Sequence, residues 1–197
     1  RRGVRVAPFK KGPDYIDAAW LGAAAGRPAH HLDTFLMSDA SLLASLVRAS
    51  AGADLALIEG NRGLFDGVDE RGTHCTAALA RRIRAPIVLV VDASKATRTL
   101  AALVLGCRAL EPGLPLAGVI LNRVGNERHV RVARAAITQE TGLPVLGAVP
   151  RLEVDLLPSR HLGLRTPEDH PGARRALEAL GAAIEAAVDL EALERIA

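Results

Sequence analysis

Pro86-Ile87-Val88-Leu89-Val90-Val91-Asp92 is an unbroken apolar run with a proline before it and an acid at its end. Its length and its β-branched residues predict a strand. Because polarity does not alternate along it, the strand belongs to a sheet covered on both faces. Further strands are predicted over residues 4–9, 54–59, 116–122 and 144–149. Helical patterns lie between them: 39–51 with Ser38 as a cap, 73–83 capped by Thr73, 97–110, and 127–141. Asp14 can cap a further helix running through Trp20. Residues 171–196 read as one long amphipathic helix, with a break near Asp189. Strands alternating with helices form βαβ units, so the expected fold is α/β, a mostly parallel sheet with helices on both faces. At 197 residues the chain is expected to be a single domain.

Composition excludes several function classes. The chain is 49% hydrophobic and 24% charged, as in an ordinary folded domain. No apolar run approaches the length that crosses a bilayer, so no membrane partner is expected. Only Cys75 and Cys107 occur, outside metal or redox spacing. They fit a reducing cytoplasm, and both read as helix packing. The net charge of +3 is too mild, and its arginines too scattered, to argue for nucleic acid. Lysines are scarce, which sets Lys10-Lys11 apart.

Ligands of parallel sheets bind beyond the carboxyl ends of the strands. Lys10, Glu59, Asp92 and Asn122 all stand at or just past such ends. The first constellation is Phe9-Lys10-Lys11-Gly12-Pro13-Asp14-Tyr15-Ile16-Asp17. Gly12-Pro13 forces a turn, and the lysine can meet a phosphate or carboxylate oxygen. Asp14 reads either as a helix cap or as a functional acid. The second is Ile58-Glu59-Gly60-Asn61-Arg62-Gly63-Leu64-Phe65-Asp66-Gly67. An acid that ends a strand before a glycine-rich loop is where nucleotide-hydrolysing folds place a carboxylate near Mg²⁺. The third is Gly118-Val119-Ile120-Leu121-Asn122-Arg123-Val124, where the Asn122 amide can read a base edge or cap a turn. The five aromatics, Phe9, Tyr15, Trp20, Phe35 and Phe65, fall in the first 65 residues. They could line a pocket for a large flat substrate, although Trp20 and Phe35 read better as core. His30-His31 reads as a loop.

Taken together, these segments resemble the synthetase domain of the cobyrinic acid a,c-diamide synthase family, which is P-loop NTPase-like and akin to dethiobiotin synthetase. The first two constellations carry the resemblance. Val90-Val91-Asp92-Ala93, the Asn122 segment, Pro144-Val145-Leu146-Gly147, Leu157-Pro158-Ser159-Arg160-His161-Leu162-Gly163-Leu164 and Val188-Asp189-Leu190 extend it along the chain. The resemblance implies that ATP phosphorylates a carboxylate of a corrinoid polycarboxylate and that ammonia then displaces phosphate to give the a- and c-amides. Phosphorylation replaces oxide, a very poor leaving group, with phosphate. Mg²⁺ and lysine offset the crowded negative charge. By resemblance, Lys10, Asp14, Glu59 and Asp66 are catalytic, and Glu59 helps hold Mg²⁺. Asp14, Tyr15, Asp17 and Phe65 meet the substrate. Lys10, Asn122 and Arg123 meet the nucleotide.

The family's phosphate-binding Gly-Lys-Thr loop and its C-terminal glutaminase domain have no counterpart in this sequence. The expectation is therefore a piece of a longer protein, inactive alone, with residues 171–196 leading toward a glutaminase that supplies ammonia. The nickel-sirohydrochlorin a,c-diamide synthases remain an alternative, as does a non-catalytic nucleotide-switch ATPase. Tyr15-Ile16-Asp17 argues against cobyric acid synthase. A homodimer is left open.

Overall fold

The computed structural model describes residues 2–152, 159–160 and 163–197. The chain divides into two compact units, one of residues 1–83 and 157–177, the other of 84–156 and 178–197.

In the first unit, β1 (Val6–Lys11) lies between β2 (His30–Leu32) and β3 (Leu55–Glu59), all parallel. Helices α1 (Tyr15–Ala25), α2 (Asp39–Ala49) and α3 (Thr76–Ile83) follow the three strands in turn. Phe9, Leu32, Leu42 and Leu79 are the bulk of the buried cluster, with Met37, Leu46, Ile58 and Ile83 packed against it. The strand predicted over 4–9 is shifted to Val6–Lys11, which places Lys10 inside the strand. His30 and His31 are not a loop: they form β2, with His30 opposite Phe9. Three residues leave no alternating pattern for a sequence reading to detect.

Helix starts follow their caps. Asp14 caps α1 by accepting from the N–H groups of Ile16 and Asp17, and Ser38 caps α2 through Ser41 N–H. Thr73 does not cap α3. Its N–H and hydroxyl both donate to the Asp69 carboxylate, at 2.9 and 2.6 Å. His74 then turns left-handed at φ 62°, which delays the helix. Cys75 takes the capping place, its sulfur accepting from Ala78 N–H at 3.4 Å. Its burial is therefore at a helix start and not within one.

In the second unit, β5 (Leu116–Val124) lies between β4 (Ile87–Asp92) and β6 (Val145–Pro150), again all parallel. Helices α4 (Thr99–Leu110) and α5 (Glu127–Thr141) connect them, and Asn126 caps α5. Ile87, Leu89 and Val91 are buried, whereas Val90 is 64% exposed. β4 thus covers one face fully, so its unbroken apolar run does not report two equally covered faces. A short antiparallel pair, β7 (Ser159–Arg160) and β8 (Gly163–Leu164), comes next in the chain. Much of the 157–164 motif, including 157–158 and 161–162, lies outside the described residues.

The long C-terminal helix is two helices, α6 (Ala173–Ala187) and α7 (Leu190–Ile196). Val188 leaves the helix to bridge Gly147 of β6. Asp189 donates its N–H to Leu146 carbonyl at 2.7 Å and caps α7 through Ala192 N–H. Gly147 is required here, since a Cβ would stand 2.7 Å from the Val188 side chain and 2.9 Å from Ala187 carbonyl. No helix among the described residues is long and apolar enough to cross a membrane.

Candidate functional site

The register of β1 on β3 sets Lys10 opposite Glu59. Asp17 reaches the same point from the first turn of α1. Lys10 is 3% exposed. Its Nζ donates to Asp17 Oδ2 at 2.7 Å, to Glu59 Oε2 at 3.1 Å and to Gly60 carbonyl at 3.3 Å. An ammonium has three donors, and each has an acceptor here. Burial works to lower the Lys10 pKa. The hydrogen bonds it donates to Asp17 and then Glu59, with the charges of those groups, outweigh it and hold the pKa above its ordinary value. A buried cation thus holds two carboxylates together that would otherwise repel.

The Asp14 carboxylate makes both its cap bonds through Oδ1, at 3.1 and 3.2 Å. Tyr15, beside it, is exposed. Asp66 is exposed and accepts from Gly63 N–H at 3.0 Å, bracing its own loop. That loop is stitched further by Val68 N–H to Thr73 carbonyl at 2.9 Å and Ala77 N–H to Leu64 carbonyl at 3.0 Å. Phe65 is half-buried within it.

The aromatics do not form one pocket. Phe9 is fully buried in the core and cannot line a site. Trp20 is buried, as expected, and its indole N–H donates to Arg165 carbonyl at 2.6 Å. Phe35 is not core: it is 65% exposed, because it follows a turn that leaves the sheet.

Two further residues at these strand ends escaped the sequence reading. Asp33, just past β2, is buried and caps its own turn through the N–H groups of Phe35 and Leu36. His31 Nδ1 lies 2.8 Å from Gly12 carbonyl. Asn61, of the second constellation, donates its N–H to Thr76 Oγ1 at 3.1 Å. An Asp before a turn is the one local signal that could have singled out Asp33.

Asn122 and Arg123 belong to the second unit. Asn122 pairs with Asp92 in register, and its side-chain oxygen accepts from Arg123 N–H at 2.9 Å. The Arg123 guanidinium donates to Asp92 at 2.9 Å. Hydrogen bonding from Ser94, and then Arg123, holds the Asp92 carboxyl below its ordinary range.

No group of three or more His, Cys, Asp or Glu side chains among the described residues is placed to hold a metal ion. A divalent cation of the Mg²⁺ kind needs only one or two carboxylates, completing its shell with water and phosphate oxygens. Glu59 fits that demand, being 47% exposed with one oxygen on Lys10.

Known proteins are similar to this chain over its whole length. A model of the AAA domain family matches residues 28–155. The chain is 43% identical over 196 residues to a cobyrinate a,c-diamide synthase of Magnetococcus marinus, covering 100% of this chain and 42% of the relative. It is 40% identical over 199 residues to one of Archaeoglobus fulgidus, covering 100% of this chain and 43% of that protein. It is 46% identical over 200 residues to a hydrogenobyrinate a,c-diamide synthase of Rhodobacter capsulatus, covering 100% of this chain and 46% of the relative. The chain therefore spans less than half the length of these relatives.

Proposed function

The chain belongs to the AAA domain family, and on that premise we propose that it carries the carboxylate-activating half of an a,c-diamide synthase. The substrate is a cobyrinic or hydrogenobyrinic acid. One carboxylate oxygen attacks the γ-phosphorus of ATP, and ADP leaves with the electron pair of the broken P–O bond. Ammonia then attacks the acyl carbon, phosphate departs with the C–O pair, and the nitrogen loses its proton. Supplied by a glutaminase or free in solution, ammonia is the only nitrogen source the step requires.

The observation that carries this reading is the Lys10 centre at the carboxyl ends of β1 and β3. Two carboxylates are held together and oriented on one buried ammonium, and a carboxylate oxygen is what a phosphate-bound cation requires. Glu59 would hold Mg²⁺, which supplies charge neutralisation for the transferred phosphoryl. Lys10 fixes Glu59 and Asp17 and contributes positive charge beside them. Asp14 and Tyr15, exposed at the start of α1, together with Asp17, Phe65 and Asp66, position the substrate or orient the incoming ammonia. The names of the relatives support the substrate class.

The test, made with the family's phosphate-binding loop joined upstream of this sequence, is ATP-dependent amide formation on cobyrinic acid with Mg²⁺ and ammonium, followed together with phosphate release. Glu59→Gln is expected to abolish both. Wild-type rates in that variant would remove Glu59 from the chemistry. Phosphate release without amide would overturn the transfer to ammonia.

A further inference from the structure

The turn after β2 displays side chains that the core does not take. Phe35 and Leu36 are each 65% exposed, directly after the buried Asp33 and Thr34. The turn is fixed: Asp33 Oδ1 accepts from Phe35 N–H at 2.7 Å and from Leu36 N–H at 3.2 Å. Met37 N–H closes it onto Asp33 carbonyl at 3.0 Å. His74 arrives from the loop before α3. Its Nδ1 is 3.0 Å from Thr34 Oγ1, and its ring meets Phe35 edge-on, with centroids 5.4 Å apart at 84°. His74 also holds φ 62°, a region costly for any residue with a side chain. A buried acid, a strained histidine and an edge-on ring contact thus hold two apolar side chains out in water. Val68, in the same loop as His74, is exposed as well.

Isolated surface hydrophobics need no explanation, but an adjoining, rigidly held set marks a binding surface. Pre-ordered side chains lose little freedom when a ligand covers them. The location agrees. Lys10 holds Gly60 carbonyl, and Asn61 follows. Gly12 lies between the loops, since a Cβ there would stand 3.4 Å from Asn61 Nδ2 and 3.9 Å from Asp33 Oδ2. Gly12 thus sits between the loop that follows the ion-paired centre and the Asp33 turn, at the carboxyl ends of β1, β2 and β3.

We propose that Phe35 and Leu36, held by Asp33 and His74, form a platform for the flat apolar face of a macrocyclic polycarboxylate. This rests on the carboxylate-activating reading above. The ion-paired centre, whose ammonium donors are all taken within the chain, cannot tell a macrocycle from a small acid. The platform makes that distinction, because a small acid has no flat apolar face with which to cover it.

The test compares binding of cobyrinic acid and of citrate, an acyclic polycarboxylate, to the 197-residue chain by titration calorimetry. Wild type should prefer cobyrinic acid. Phe35→Ala should weaken cobyrinic acid binding about tenfold or more, as for a central aromatic anchor, and leave citrate unchanged. Leu36→Ala should weaken it less, and Phe35→Trp should retain it. If wild type binds cobyrinic acid and Phe35→Ala binds it equally well, the platform is wrong while the activation reading stands. If wild type binds neither acid, the activation reading falls and takes the platform with it. An equal loss for both acids would make Phe35 a structural prop and overturn the proposal. So would loss of self-association in Phe35→Ala at unchanged macrocycle affinity, which would assign the patch to a second copy.

Discussion

Lys10 and Glu59 are 49 residues apart in sequence, yet one strand pairing places them opposite each other and brings Nζ to 3.1 Å from Oε2. The contact follows from the register of β1 on β3. A shift by one residue would turn every side chain of β1 to the other face. It would remove Phe9 from the core at the same step. The packing of Phe9 and the geometry of the candidate site therefore enforce each other.

Replacing Lys10 by methionine keeps the buried stem and removes the charge. Asp17 and Glu59 then face each other without their cation. Because both carboxylates are partly in water, the expected loss is about 2 kcal/mol, below that of a fully buried pair. It should show as a lower denaturant midpoint at unchanged slope. The pH dependence has a definite sign. The folded pKa of Lys10 lies above the ordinary 10.5. Its contribution is therefore complete below that value and disappears as pH rises through the folded value. On the alkaline side, the stability gap between wild type and Lys10→Met should close in that range and not before it.

Asp54 should contribute to acid sensitivity. Its carboxylate accepts from the Arg5 guanidinium at 2.6 and 3.1 Å and from Arg5 backbone N–H at 2.8 Å. Those bonds hold its pKa at about 2, against an ordinary 3.8. A lowered folded pKa stabilises above the unfolded value and is lost as pH falls from 3.8 toward 2. The melting-temperature difference between wild type and Asp54→Asn should be constant above pH 4 and shrink below it. A difference independent of pH would refute the pairing.

Gly67→Ala should damage the Asp66 loop from within. A Cβ there would run into Thr73 carbonyl and stand 2.5 Å from Gly72 carbonyl carbon. Both are backbone atoms, so no rotamer relieves the clash. A cost of about 1–3 kcal/mol is expected. Hydrogen exchange should quicken first at Val68 and Ala77, whose N–H groups stitch this loop.

Trp20→Phe tests the tie to the segment after β8. The indole N–H donates to Arg165 carbonyl at 2.6 Å, and its ring meets His170 at 5.5 Å. Phenylalanine keeps the apolar packing and removes the donor, for a loss of about 1–3 kcal/mol. Proteolysis should quicken around 165–170. An unchanged cleavage rate would mean that the tie contributes nothing.

The amino-acid sequence by itself determined the order of the longer strands and helices, the caps at Asp14 and Ser38, the break near Asp189, and the segments that hold the polar strand ends. Those features are legible because periodicity, capping and turn chemistry act over a few neighbouring residues. Only the tertiary structure decided that Lys10 is shared by Asp17, Glu59 and Gly60, since strand register sets those distances. It also decided that Phe35 stands in water while Phe9 is buried. An aromatic side chain carries no label for inside or outside. Its place depends on whether the backbone beneath it remains in the sheet, as at Phe9, or leaves in a turn pinned by Asp33, as at Phe35.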